Sequence, residues 1–142
     1  MSSESASPLR MLFLIEGIMK LAGGLVFIIS PQTPLSVAVA APIPPSALFL
    51  TRLLGTQTFT LGVSMLHASA RTPKAVASRR IIYWTIFVRD VTLVTVAASQ
   101  LLLGDNSNAL GFSPKGLRSW LTELMPFCLG HLWILTTKSH WF

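Results

Sequence analysis

Residues 11–30 read MLFLIEGIMKLAGGLVFIIS, an apolar run broken only by Glu16 and Lys20. At about 1.5 Å of rise per residue, a helix of about 20 residues matches a hydrocarbon core of about 30 Å. Pro31 and Pro34 end the run, because proline cannot continue an intrahelical hydrogen-bond ladder. The rest of the chain repeats the pattern. Apolar stretches at 47–68, 81–103 and 120–137 are separated by polar or turn-rich connectors, and Pro126 interrupts the last of them. Of the 142 residues, 51% are hydrophobic and 11% charged, less than half the roughly 25% charged that a soluble domain carries. The pattern predicts an all-α integral membrane protein, a single four-helix bundle filling residues 1–142. The apolar run at 11–30 reads as a retained first span rather than a cleaved signal.

The segment PQTPLSVAVAAPIPPS, residues 31–46, is too interrupted by proline to span. It is uncharged, and it is expected at the membrane interface or folded back between helices, where protein can satisfy its backbone. Lys and Arg in short loops favour the cytoplasmic face. Six of them (Arg10, Arg71, Lys74, Arg79, Arg80 and Lys138) fall on the side of the chain termini, and two, Lys115 and Arg118, fall on the other. Both termini are therefore expected in the cytoplasm. Trp84, Trp120 and Trp141 lie near span ends, as an aromatic belt requires. A net charge of +6 spread over connectors marks a membrane face rather than a nucleic-acid surface.

Charges inside the spans carry the functional signal. Glu16, Lys20, Arg52, Arg89, Asp90, Glu123 and His131 sit in apolar runs, where an ionised side chain costs about 2.5–3.5 kcal/mol at the bilayer centre. Three are acidic and three basic, so the set can neutralise itself. Counted from the span ends, Lys20, Gln57, Asp90 and His131 fall near the midplane as one polar layer drawn from all four helices. Glu16 and Lys20 stand at i and i+4 and are expected to pair, and Arg52 with Glu123 forms a second candidate pair in the outer half. Tyr83 lies seven residues before Asp90, on the same helical stripe, and is expected to line the same cavity. His131 lacks a second ligand at metal spacing and reads as an interhelical hydrogen bond. His67 and His140 lie at or beyond span ends. Gly17, Gly23, Gly24, Gly55 and Gly62 are expected to let helices approach closely. The lone Cys128 excludes a disulfide and a cysteine-based zinc site, and no phosphate loop, nucleophile elbow, dinucleotide fingerprint or HExxH appears.

Arg52-Leu53-Leu54-Gly55 with Gly62, followed by Arg89-Asp90, resembles the small four-helix membrane proteins of the DoxX-like and related domain-of-unknown-function families. Within that group the chain looks most like the small fungal membrane-bound epoxide hydrolases of the aurovertin and citreoviridin pathways. The resemblance covers nearly the whole chain. It implies an enzyme of secondary-metabolite biosynthesis, in an endoplasmic-reticulum membrane, that opens an epoxide on a lipophilic polyketide or terpenoid. The opening would be hydrolytic or cyclising, and would need no metal or redox cofactor. Such a reaction needs a base to deprotonate water or a hydroxyl, an acid to protonate the departing oxygen, and a cation to hold the pieces. Glu16, nearer water and beside Lys20, suits the base. Asp90, deeper, suits the acid, with Arg52 or Arg89 orienting it and Tyr83 as a further donor. Lys20, Gln57 and His131 are then candidates for binding substrate. Membrane lipid and a second copy of the chain are further candidate partners. The competing reading is a non-catalytic membrane protein whose charges lock helices or bind lipid.

Overall fold

The computed structural model describes residues 8–39, 42–103, 113–138 and 141–142. The chain is all-α, with α1 (Pro8–Ile29), α2 (Gln32–Ala38), α3 (Pro45–Ala68), α4 (Pro73–Leu103) and α5 (Pro114–Thr137). Helix α1 and residues Pro73–Leu102 of α4 are long and apolar enough to cross a membrane. Helices α3 and α5, of 24 residues each, fall short of the same sustained hydropathy. On α3 the hydroxyls are satisfied locally, Thr51, Thr58, Thr60 and Ser64 each donating to the carbonyl four residues back at 2.8–3.1 Å.

All four long helices begin earlier than hydropathy alone predicts, and each opens on a proline. Proline fits the first helical position because its missing N–H has no intrahelical partner there and its φ is already helical. Hydroxyls complete two of these starts: Thr72 Oγ1 accepts the Ala75 N–H at 3.2 Å, and Ser113 Oγ accepts the Gly116 N–H at 3.0 Å. Helix α4 therefore absorbs Lys74, Arg79 and Arg80, which hydropathy assigns to a connector. The turn-rich segment after α4 lies, in its residues 104–112, outside the described residues, as does His140.

The proline-rich segment after α1 forms α2 and folds back against α5. The Ser113 N–H donates to Ala38 O at 2.8 Å, and Gly116 approaches Ala38 so closely that any Cβ there would collide with its backbone. The fifth helix is the main departure from the expected four.

The long helices assemble as two pairs, α1 with α3 and α4 with α5, and the pairs meet chiefly through α3 and α4. The first pair closes on glycine. Gly17 and Gly24 of α1 face Gly62 and Gly55 of the antiparallel α3: a Cβ on Gly62 would lie 2.9 Å from Gly17 O, and one on Gly55 would lie 2.9 Å from Gly24 O. Gly23, expected in the same role, has nothing within 4 Å and takes no part in the seam.

At the end bearing the chain termini, Leu9, Phe13, Met65, Ala68, Tyr83, Ile86 and Ile134 form a closed core with Trp141 and Phe142 packed against it. Two arginines seal this end. Arg10 Nε donates to Ser69 O at 2.9 Å, while Arg79 donates to Ala68 O at 2.9 Å and Ala70 O at 3.1 Å. Both cover carbonyls at the C-terminus of α3, which have no intrahelical partner and carry the negative end of the helix dipole.

Candidate functional site

Below the closed core, side chains from all four long helices, two of them from α4, meet in a buried chain of polar groups. His131 of α5 is central. Its Nε2 lies 3.1 Å from Oε2 and 3.3 Å from Oε1 of Glu16 on α1. Its Nδ1 lies 3.3 Å from Asp90 Oδ2 on α4, off the hydrogen-bond axis. Asp90 Oδ1 accepts from Arg89 at 3.1 Å, and the other Arg89 nitrogen donates to Thr58 Oγ1 of α3 at 2.9 Å. Glu16 is 7% exposed, and Asp90 and His131 are 1% exposed each.

The order Glu16, His131, Asp90, Arg89, Thr58 thus crosses from α1 to α5 to α4 to α3. It joins the two helix pairs both at the α3–α4 contact, through Arg89 and Thr58, and between α1 and α5, through Glu16 and His131. Two carboxyls, one imidazole and one guanidinium sum to zero when the set holds a single proton besides that of the guanidinium. A neutral total is what a low-dielectric interior demands, since an uncompensated buried charge costs several kcal/mol or more. The carboxyls of Glu16 and Asp90 lie against different ring nitrogens, so no point is shared by three ligand atoms. Among the described residues no group of His, Cys, Asp and Glu could hold a metal ion.

Tyr83 packs edge-on against the His131 ring at 4.9 Å and is flanked by Phe13 and Phe142. It is fully buried, and among the described residues its hydroxyl has no hydrogen-bond partner. It belongs to the closed core and does not reach the cavity that the stripe predicts for it.

That cavity lies on the other side of the polar chain, between the helix pairs. It holds about 320 Å³ and is almost wholly apolar, walled by Phe27, Leu54, Leu93, Val96, Leu117 and Trp120 among others. Its polar contributions come from Thr58, Arg89, Gln100 and Glu123. Arg89 is the shared element, fixed by Asp90 behind it and by Thr58 beside it, with part of its guanidinium bordering the void. A second, more open groove of about 390 Å³ lies across Arg89, between α3 and α4, lined by Thr56, Gln57, Thr60 and Leu61.

Several expected placements are corrected by this geometry. Glu16 pairs with His131 and not with Lys20, because the imidazole is delivered from a facing helix straight onto the carboxylate. Lys20 makes no ion pair among the described residues. The pair Arg52 with Glu123 does not form: both side chains are exposed, and Glu123 borders the cavity while Arg52 does not. Gln57 is exposed and lines the outer groove rather than joining an interior layer with Asp90 and His131. Glu16 and Asp90, expected to act on substrate, are turned toward His131 and do not line the cavity.

Thr58, which the charge pattern does not single out, and Glu123, expected to pair with Arg52, do line it. Thr58 was readable, since it falls between Gly55 and Gly62 on the inward stripe of α3. Glu123 was assigned to the wrong partner because depth along a helix does not fix its rotation.

No protein-family model matches the chain, and neither a curated protein nor a solved structure matches it significantly.

Proposed function

We propose that the chain is a four-span membrane protein, both termini cytoplasmic, that takes a lipophilic small molecule into the cavity between its helix pairs and opens an epoxide on it. The observation that carries this reading is an apolar cavity of about 320 Å³ that has Arg89, held by Asp90 and Thr58, and Glu123 among its lining residues. The membrane reading is supported by large apolar side chains exposed on every long helix. Ile15, Ile18 and Val26 on α1, Phe49, Leu50 and Val63 on α3, Ile81 and Val88 on α4, and Phe127, Leu129 and Leu132 on α5 face outward. Such a girdle is unfavourable in water and natural in lipid. Arg71, Lys74 and Arg80 are exposed at the end bearing the termini, which fits a cytoplasmic face there.

In this reading Arg89 donates hydrogen bonds to the epoxide oxygen as its C–O bond breaks. The Glu123 carboxylate accepts a proton from the attacking water, whose oxygen forms the new C–O bond. The proton on Glu123 then passes to the alkoxide, leaving a diol. A hydroxyl of the substrate in place of water gives a cyclic ether by the same balance. Asp90 and Thr58 position Arg89, and the Glu16–His131 pair positions Asp90. This assigns the base to Glu123 rather than Glu16, and a positioning role to Asp90 rather than that of the acid. The choice of an epoxide comes from the resemblance to the small epoxide-opening membrane enzymes of fungal pathways, and the cavity, Arg89 and Glu123 supply the lipophilic space, the donor and the base for it.

The non-catalytic reading is favoured by a separate observation. Glu16, His131 and Asp90 are turned toward one another rather than toward the cavity, as a lock between helix pairs would be. The two readings separate in microsomes carrying the chain, incubated with a polyene epoxide in oxygen-18 water. The enzyme reading expects labelled diol from wild type and none from Glu123→Gln with the protein still folded. Undiminished turnover in that variant, or no consumption by wild type across a panel of such epoxides, contradicts it.

A further inference from the structure

The α3–α4 groove is not used by the chemistry proposed above, and its lining is unusual for a surface that faces lipid. Gln57 is exposed there, and among the described residues its amide has no hydrogen-bond partner. The neighbouring hydroxyls are occupied, Thr56 donating to Leu53 O at 2.7 Å and Thr60 to Thr56 O at 2.9 Å. A primary amide left unpaired in hydrocarbon is unfavourable, so the groove calls for an occupant with hydrogen-bonding atoms. Arg89 borders both this groove and the inner cavity, and its side chain is 20% exposed. Only two of its N–H directions are taken, one by Asp90 and one by Thr58. A guanidinium has five donors, so further N–H groups remain for a ligand.

We propose that the groove is a second subsite for the same lipophilic ligand, taking a neutral hydrogen-bond acceptor, an ester or ketone carbonyl, between the Gln57 amide and Arg89 while the apolar body lies across Arg89 in the cavity. This rests on the cavity reading given above and adds the substrate class. The acceptor is neutral because the charge of Arg89 is already met by Asp90 at 3.1 Å. A carboxylate would bring a second negative charge beside Asp90 in a medium that does not screen it. A carbonyl oxygen needs only N–H donors, which both residues supply. The ligand class is thus an apolar chain with a carbonyl or ester near one end, reaching the site sideways from the bilayer.

The test uses the full chain in lipid nanodiscs and three matched probes: an 18-carbon conjugated tetraene carboxylic acid, its methyl ester, and the tetraene hydrocarbon. Trp120 lines the cavity and donates excitation energy to a tetraene bound there, and Trp120→Phe supplies the background from the other tryptophans. The ester is expected to bind more tightly than the acid or the hydrocarbon. Gln57→Leu, an exposed position that keeps the fold, is expected to weaken the ester about fivefold and leave the hydrocarbon within about twofold. An acid that binds more tightly than the ester overturns the neutral class. An ester indifferent to Gln57→Leu overturns the subsite, as does a Gln57-dependent dimer with unchanged ester binding, which would assign the groove to a second copy of the chain. A hydrocarbon that gives no Trp120-dependent signal removes the cavity reading itself, which separates that failure from failure of the subsite alone.

Discussion

The two seams of this molecule are built on opposite principles. Between α1 and α3 the backbones approach closely: at Gly17, Gly24, Gly55 and Gly62 an added Cβ would press into the backbone or apolar side chains of the other helix, and no charge is involved. Between the two helix pairs the backbones approach far less, chiefly where α3 meets α4, and the span is bridged by Glu16, His131, Asp90, Arg89 and Thr58. The first seam is tight and leaves no room for a ligand. The second is held at a few points and leaves about 320 Å³ beside them. Close packing is the only strong attraction between apolar helices in lipid, so a chain that needs a cavity must join its halves by other means. Polar groups that satisfy one another do so without filling the space.

The largest effect is expected at the bridged seam. Replacing His131 with Ala leaves Glu16 and Asp90 facing each other without the imidazole between them, and should cost about 3–5 kcal/mol of stability, read by thermal unfolding in detergent. A loss below about 1 kcal/mol would mean that the seam does not depend on its charges. At the glycine seam, Gly62→Ala puts a Cβ 2.8 Å from the Leu21 backbone nitrogen, where neither helix can yield cheaply, so a loss of about 1–3 kcal/mol is expected in the same measurement. Thr58→Val removes one hydrogen bond to Arg89 and should cost about 0.5–1.5 kcal/mol. The smallest effect is a control. Gly23→Ala meets nothing within 4 Å and should stabilise by up to about 1 kcal/mol, since alanine is the better helix former. Equal losses at Gly23 and Gly62 would erase the distinction between seam and surface.

Hydropathy and proline in the sequence were enough to read the all-α class and the placement of the long helices, because both act along the chain and need no knowledge of the fold. The helix starts were also legible in principle. Ser113-Pro114 and Thr72-Pro73 are cap-then-proline pairs, but weighting hydropathy over capping moved the starts inward. The pairing of charges was less legible. Depth along a helix follows from residue count, and it put Asp90 and His131 at one level. Rotation about the helix axis does not follow from depth, which is why Glu16 was matched with its own-helix neighbour Lys20 and Glu123 with Arg52. The α2 segment hid for a different reason. Its seven residues are too few to show a helical period, and what holds it is contact with Gly116, some 80 residues away.

The central claim is that the void between the helix pairs is where a ligand sits and reacts. Filling it tests that claim without touching any charged group. Ala97 lines the cavity on α4, and Ala97→Phe occupies part of the space beside Arg89. The account predicts that epoxide consumption by microsomes is lost while the unfolding temperature in detergent stays within a few degrees of wild type. Consumption at the wild-type rate in a folded Ala97→Phe protein would contradict it.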